Sequence, residues 1–126
     1  MDRVVIVDSV RTGLAKAHRG TFNMTRSDAL VAHCIDALLA RQPKLEPGAV
    51  EDVVLGCGRQ VGEQSANVAR HAVVLSTLPI TVPATTISRA CSSGLNSIAF
   101  AANQITSGCA EIMMAGGVES ITGLDR

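Results

Sequence analysis

Residues 89–98 read RACSSGLNSI and place a cysteine between a predicted strand and a predicted helix. The strand is Thr85-Thr86-Ile87, in which every residue is β-branched, and such residues favour strands. The helix ends at Gly108 and is indicated by apolar residues at helical spacing, namely Leu95, Ile98, Ala102 and Ile105. This order puts Cys91 beyond the carboxyl end of a strand, which is where open α/β sheets bind their ligands.

The position of Cys91 at the start of a helix favours a nucleophilic role for its thiol. The first turn of a helix presents unpaired backbone N–H groups and a partial positive charge. Both favour the thiolate form of a cysteine, and the same N–H groups can stabilise an oxyanion after the sulfur attacks a carbonyl. An arbitrary cysteine is more often a small buried apolar residue. The turn and helix around Cys91 favour the nucleophile instead.

The rest of the chain also alternates strands with helices. A strand buried on both faces is predicted at Val4–Val7, and further strands are predicted at Val53–Leu55 and Ile112–Ala115. One helix is predicted to start with a capping box formed by Thr25 and Asp28. The apolar faces predicted for the two intervening helices are Leu30, Cys34, Ala37 and Leu38 in the first, and Ala66, Ala69 and Val73 in the second, over residues 65–75. This alternation predicts an α/β fold, a layered and mostly parallel sheet with helices packed on it.

Composition and residue spacing argue against several classes of function. The formal net charge is zero and the only aromatic residues are Phe22 and Phe100, so a nucleic-acid partner is not expected. No apolar run reaches the ~20 residues that span a bilayer, and no secretory signal is present, which predicts a cytoplasmic protein without a membrane span. No metal site is expected, because no C-x-x-C pair occurs and the histidines His18, His33 and His71 are scattered.

The other cysteines and the glycine-rich turns are interpreted as structural. Cys34 is expected to pack in the core, and Cys109 to lie in the turn before the last strand. Cys57 lies in a glycine-rich loop near a strand end, where it could approach the site, and a structural role is preferred for it. Gly56-Cys57-Gly58 is followed by glycine only at position 62, which is the wrong spacing for a dinucleotide fingerprint. Gly116-Gly117 is either an ordinary turn or a place where backbone passes close to the helix that carries Cys91.

Several segments together resemble one family, the thiolases. Ile87-Ser88-Arg89-Ala90-Cys91-Ser92-Ser93-Gly94-Leu95 resembles the motif of the acyl-enzyme cysteine in thiolases. Ala115-Gly116-Gly117-Val118-Glu119-Ser120 is similar to the A-G-G-x-E-S turn of the family, and Val10-Arg11-Thr12-Gly13 to its V-R-T-P loop. Gly13 in place of proline and Ser88 in place of asparagine are departures from the family pattern. Residues 16–22 look more like the degradative, longer-chain members.

The resemblance implies an acyltransferase that acts on coenzyme A thioesters. Such an enzyme either cleaves a 3-ketoacyl-CoA with free CoA or condenses two acetyl-CoA molecules. The nucleophile holds the acyl group as a thioester, and Cys91 matches that residue by its position in the motif. Coenzyme A is then a substrate, and no bound cofactor is expected. The resemblance also implies a homodimer or homotetramer of the full-length protein.

The length departs most from the family. Thiolases are roughly three times longer than these 126 residues, so residues 1–126 are expected to be an incomplete N-terminal half of the thiolase-like fold. The base histidine and the second cysteine of the family would lie beyond residue 126. One face of the sheet would be uncovered, and the isolated chain would be marginally stable and without turnover. The alternatives are a β-ketoacyl synthase-like condensing enzyme and a truncated, non-catalytic chain that only associates with a partner.

Overall fold

A three-stranded parallel sheet forms the centre of the computed structural model, which describes residues 3–125. The helices are α1 (Ser27–Arg41), α2 (Val68–Leu75) and α3 (Ser93–Thr106), and the strands are β1 (Asp52–Gly56), β2 (Ala84–Ile87) and β3 (Met113–Gly117). The strand order is β2-β1-β3, with Val54 in register with Thr85 on one side and Ala115 on the other. The predicted α/β class with a parallel sheet is confirmed.

Helices cover both faces of β1, because alternate side chains of a strand point to opposite faces. Val53 and Leu55 belong to the main apolar core, which they share with Val31 and Ile35 of α1 and with three residues of α2, namely Ala69, Ala72 and Val73. The opposite face carries Val54 and Gly56 and lies against α3. The core is therefore aliphatic and alanine-rich, as the near absence of aromatic residues requires.

Small residues form the face of α3 that packs on the sheet. Ser93, Ser97 and Ala101 are buried, and the Ser97 hydroxyl lies 2.7 Å from the carbonyl oxygen of Gly116 in β3. The predicted apolar stripe lies elsewhere, since 73% of Leu95 and 45% of Ile98 is exposed. That part of the prediction was wrong because glycines in the sheet let the helix approach with its small side chains.

The predicted strand at Val4–Val7 does not form. This segment is without regular secondary structure, and Val5, Ile6 and Val7 are between 70% and 78% exposed. A strand needs a hydrogen-bonding neighbour, and within residues 3–125 none of the three strands pairs with this segment. The segment is tied to α1 just beyond the apolar run, where Asp8 forms a 2.7 Å ion pair with Arg41.

The start of α1 also differs from the prediction. The cap position is Arg26 and has no side-chain cap, while Asp28 pairs with Arg26 at 2.8 Å instead of closing a capping box with Thr25. A carboxylate from a distant part of the chain takes that role, because Glu63 accepts the backbone N–H of Ser27 at 2.9 Å. The buried face of α1 consists of Ser27, Asp28, Val31, Ala32 and Ile35, and the predicted face is only partly buried.

The second helix is shorter than predicted. Ala66 and Asn67 have φ angles of 53° and 68°, and this left-handed backbone keeps Ala66 outside α2. The Asn67 side chain then caps the helix by accepting the N–H of Arg70. A lipid bilayer could not be crossed by any helix within residues 3–125, since each lacks the necessary length and apolar character.

Candidate active site

The parallel arrangement gathers three loops at one edge of the sheet. The strands β1, β2 and β3 end at Gly56, Ile87 and Gly117, and the carboxyl ends of parallel strands meet at the same edge. The loops that follow carry Cys57, Cys91 and Glu119. Cys91 therefore lies where the sequence predicted, beyond the carboxyl end of a strand and directly before a helix.

A strained turn presents Cys91 to solvent. Ala90 has a φ angle of 48°, a left-handed conformation that costs an alanine roughly 1–2 kcal/mol, and Cys91 after it is exposed. The buried hydroxyl of Ser93 stabilises the turn from inside, since it accepts the N–H of Arg89 at 2.7 Å and donates to the carbonyl of Ala90 at 2.6 Å. The turn thus holds the thiol outside the core at the start of α3.

Glycines let the sheet approach this turn closely. A side chain at Gly56 would overlap the backbone of Ser93 and Gly94, the first residues of α3. At Gly117 an added Cβ would lie 3.2 Å from the Gly56 carbonyl oxygen and 3.4 Å from the Cα of Gly94. The predicted close passage beside the helix of Cys91 is thus confirmed for Gly117. The tighter approach, at Gly56, was missed because a glycine that ends a strand also fits an ordinary loop.

Cys57 lies at the same edge in an opposite environment. It is fully buried, and its Sγ is 3.7 Å from Oε1 of Glu119 and 3.7 Å from the carbonyl oxygen of Arg59. Burial, and then the negative charge of Glu119, raise the pKa of the Cys57 thiol to about 11. Cys57 is therefore a neutral, inaccessible thiol at neutral pH, in agreement with its predicted structural role.

Glu119 joins the loops after β1 and β3. Its Oε2 accepts the backbone N–H of Gly58 at 2.8 Å, and its Oε1 accepts that of Arg59 at 3.2 Å. The side-chain amide of the buried Gln64 donates to Oε1 at 3.3 Å. Sequence reasoning did not find this cluster, because Glu119 is 55 to 61 residues away from its partners along the chain.

The remaining candidate residues lie outside this cluster. His18 is in the N-terminal loop and donates its backbone N–H to Thr122, while His33 and His71 lie on α1 and α2. None of these histidines hydrogen-bonds to Cys91 within residues 3–125. Cys109 is exposed in the turn between α3 and β3, as predicted. In the described part of the chain no group of three His, Cys, Asp or Glu side chains could hold a metal ion.

The face of β3 beside α1 is open. A hollow of about 460 Å³ lies there, and the N-terminal loop around residues 10–17 borders it. The predicted apolar face of α1 contributes Leu30, Cys34 and Leu38 to its wall, and so Cys34 is only partly buried. Opposite them stand Met114, Gly116 and Val118, which leave this part of the sheet without a covering helix.

Comparisons with known proteins agree on one family. The family model described as "Thiolase, N-terminal domain" matches residues 4–126. The 3-ketoacyl-CoA thiolases of Enterobacter sp. (strain 638) and Escherichia coli O139:H28 are each 43% identical to the chain over 119 residues. That alignment covers 94% of this chain and 31% of each relative, so the chain spans about a third of their length.

A solved structure shows the same likeness. The crystal structure of the Bacillus anthracis acetyl-CoA acetyltransferase superimposes with a TM-score of 0.75 at 35% sequence identity. The superposition covers 82% of this chain and 26% of the acetyltransferase.

Proposed function

Because the chain belongs to the thiolase family, in the region of its N-terminal domain, we propose that the full-length protein transfers acyl groups between coenzyme A thioesters. Cys91 is the acyl carrier in this proposal. The observation that supports it most strongly is the geometry of the turn, in which a left-handed Ala90 presents an exposed thiol at the start of α3. The chain's similarity to a 3-ketoacyl-CoA thiolase and to an acetyl-CoA acetyltransferase supports the same reaction.

The proposed reaction has two halves. In the degradative direction the Cys91 sulfur attacks the 3-keto carbonyl, the bond between C2 and C3 breaks, and acetyl-CoA leaves as its carbanion and takes up a proton. The shortened acyl group remains on Cys91 as a thioester. The thiol of a second CoA then attacks that thioester, which releases the shortened acyl-CoA and regenerates Cys91. Backbone N–H groups at the start of α3, including that of Cys91, are proposed to stabilise the oxyanions.

Acylation of the full-length protein tests the nucleophile. The protein is incubated with acetyl-CoA, quenched in acid and digested, and the peptides are mapped by mass spectrometry. We expect one acetyl thioester, on Cys91. The Cys91→Ser variant should carry none, and Cys109→Ser, which removes the other exposed thiol of residues 3–125, should be acetylated like the wild type. An unmodified Cys91 in the full-length protein would contradict the proposal.

The same experiment separates the alternatives. A β-ketoacyl synthase-like enzyme would accept the acyl group from an acyl carrier protein in preference to CoA. A non-catalytic chain would leave Cys91 unmodified with both donors. No feature of residues 3–125 favours either alternative, and the family match favours the thiolase reaction.

Further properties of the full-length protein complete the proposal. It takes coenzyme A as a substrate and holds no bound cofactor, acts in the cytoplasm, and forms a homodimer or homotetramer. The isolated 126-residue chain has no turnover, because the open face of β3 and the exposed Leu95 and Ile98 leave its nucleophile on an incompletely covered sheet. Ketothiolase assays of the purified chain test the lack of turnover. Light scattering of the full-length protein tests the oligomeric state.

A further inference from the structure

The Glu119 carboxylate joins the loop after β3 to the loop after β1. Both of its oxygens accept backbone N–H groups of the loop after β1, from Gly58 at 2.8 Å and Arg59 at 3.2 Å. Gln64 reinforces the junction, because its amide donates to the Arg59 carbonyl at 2.9 Å and to Glu119 at 3.3 Å. The Gln64 carbonyl in turn accepts the N–H of Ser120. The loops after β1 and β3 are thereby locked to each other.

The same loop after β1 touches the turn that presents Cys91. Ser88 donates its hydroxyl to the Gly58 carbonyl at 3.3 Å. Gly58 lies so close to both Glu119 and the turn that an added Cβ would sit 3.0 Å from Oε2 of Glu119 and 3.1 Å from the Ala90 carbonyl oxygen. Gly58 therefore lies against both Glu119 and Ala90. A shift of the loop would be transmitted to the residue directly before Cys91.

The left-handed conformation of Ala90 depends on the residues that pack around it. A non-glycine residue in left-handed backbone persists only where its surroundings hold it there. Ser93 holds the turn from the helix side, and Gly58 borders it from the loop side. We propose that Glu119 is a positioning residue, whose carboxylate fixes Gly58 against Ala90 and so sets the placement of Cys91 for acyl transfer. This inference rests on the proposed role of Cys91 as the acyl carrier.

The contacts require a carboxylate of this length. Every partner of Glu119 presents a donor, and a carboxylate has two acceptor oxygens and no donor. A glutamine would turn an NH₂ group either toward the N–H of Gly58 or toward the three donors at Oε1, from Cys57, Arg59 and Gln64, and one side of the junction would open. An aspartate keeps both oxygens but withdraws them by about 1.5 Å, one carbon–carbon bond.

The test compares variants of the full-length protein. Glu119→Gln is paired with Glu51→Ala. Glu51 accepts the backbone N–H groups of Glu111 and Ile112 at the opposite end of the sheet, both on Oε2, so a glutamine would keep their acceptor and an alanine removes it. The readouts are the single-turnover rate of Cys91 acetylation by acetyl-CoA, the KM for acetyl-CoA and the thermal midpoint. A second reagent, iodoacetamide, measures Cys91 reactivity over a range of pH without any acyl-CoA.

We expect E119Q to slow acetylation by about 10–100-fold, the effect of misplacing a reacting atom by about 1 Å, while KM changes less than about threefold. E51A should lose a similar amount of thermal stability and keep its acetylation rate within about twofold of the wild type. E119D should regain part of the rate, and it also serves as the test if E119Q does not fold.

Two results would overturn the inference. One is a wild-type acetylation rate in E119Q or, where E119Q does not fold, in E119D. The other is an equal loss of acetylation rate in E119Q and E51A, which would make the effect one of stability alone. If the wild-type protein itself fails to acetylate Cys91, the proposed function fails instead. The iodoacetamide profile then still decides the inference, since an unchanged Cys91 profile in E119Q contradicts positioning by Glu119.

Discussion

Cys57 and Cys91 follow neighbouring strands of one sheet and end in opposite environments. Cys57 comes directly after β1 and is fully buried, and its pKa is raised to about 11 by burial and by Glu119. Cys91 comes four residues after β2, beyond the left-handed Ala90, and is exposed. The sheet brings both thiols to the edge where ligands bind. The conformation of the connecting loop decides which of them a substrate can reach.

The largest expected effect comes from closing the space that Gly56 leaves for α3. In Gly56→Ala the new Cβ overlaps the backbone of Ser93 and Gly94, and the helix that carries Cys91 must move. We expect the free energy of unfolding to fall by about 3 kcal/mol and acetylation of Cys91 to be lost. Urea unfolding and acetyl-CoA labelling of the full-length protein measure the two effects.

Gly13→Ala is the control for that substitution. Gly13 has open space around it, and the change should alter stability by less than about 0.5 kcal/mol. Comparable losses in the two variants would show that the contact between Gly56 and α3 does not place the nucleophile.

The second effect concerns the stability that the Cys57 thiol confers as a function of pH. The folded protein keeps this thiol protonated up to a pKa of about 11, whereas the ordinary pKa of a cysteine thiol is 9.0. The contribution is therefore fully present below pH 9 and is lost as the pH rises from 9 to 11, because the unfolded chain releases the proton first. The loss amounts to roughly 2–3 kcal/mol. Comparing urea unfolding of the wild type and Cys57→Ser across this range isolates it.

Cys57→Ser does not titrate in this range, so the difference between the two stability curves should shrink by that amount between pH 9 and 11. A difference that stays constant over this range would mean that burial and Glu119 do not hold Cys57 in its neutral form.

The smallest effect is expected at the turn itself. Ser93→Ala removes the buried hydroxyl that links the N–H of Arg89 to the carbonyl of Ala90, which should cost about 1–2 kcal/mol and slow acetylation. Ser92 is exposed, and within residues 3–125 its hydroxyl donates one hydrogen bond, to the Arg89 carbonyl, so Ser92→Ala should cost less than about 0.5 kcal/mol. Thermal midpoints and single-turnover acetylation rates are measured for both variants. Larger losses in Ser93→Ala than in Ser92→Ala would support the role of the Ser93 hydroxyl in the turn, and equal losses would contradict it.

Local sequence patterns predicted most of the elements. The three observed strands and the helix after Cys91 lie within a residue or two of their predicted positions, because β-branched runs and helical spacing are local signals. Val4–Val7 carries the same signal and forms no strand, since pairing depends on a neighbouring strand and not on the segment alone. The Thr25 cap failed for a related reason, as Glu63 reaches Ser27 from 36 residues away.

The candidate site was predictable only in part. The motif around Cys91 placed the thiol at a strand end before a helix, and the structure agrees. The buried face of α3 was not predictable, because a stripe of larger apolar residues usually marks the core and here Ser93, Ser97 and Ala101 do so instead. The junction of Glu119 with the loop after β1 depends on contacts across about 60 residues, which no periodicity records.

The central claim, that Cys91 and not Cys57 carries the acyl group, is tested most directly by a chase experiment on the full-length protein. A tryptic peptide from Ala90 to Arg126 contains both Cys91 and Cys109, so the Cys109→Ser variant is used, and Cys57 falls in the separate peptide 45–59. After acetyl-CoA, we expect an acetyl group on the first peptide only, and its disappearance when free CoA is added. An acetyl group on peptide 45–59, or one on Cys91 that CoA does not remove, would contradict the account.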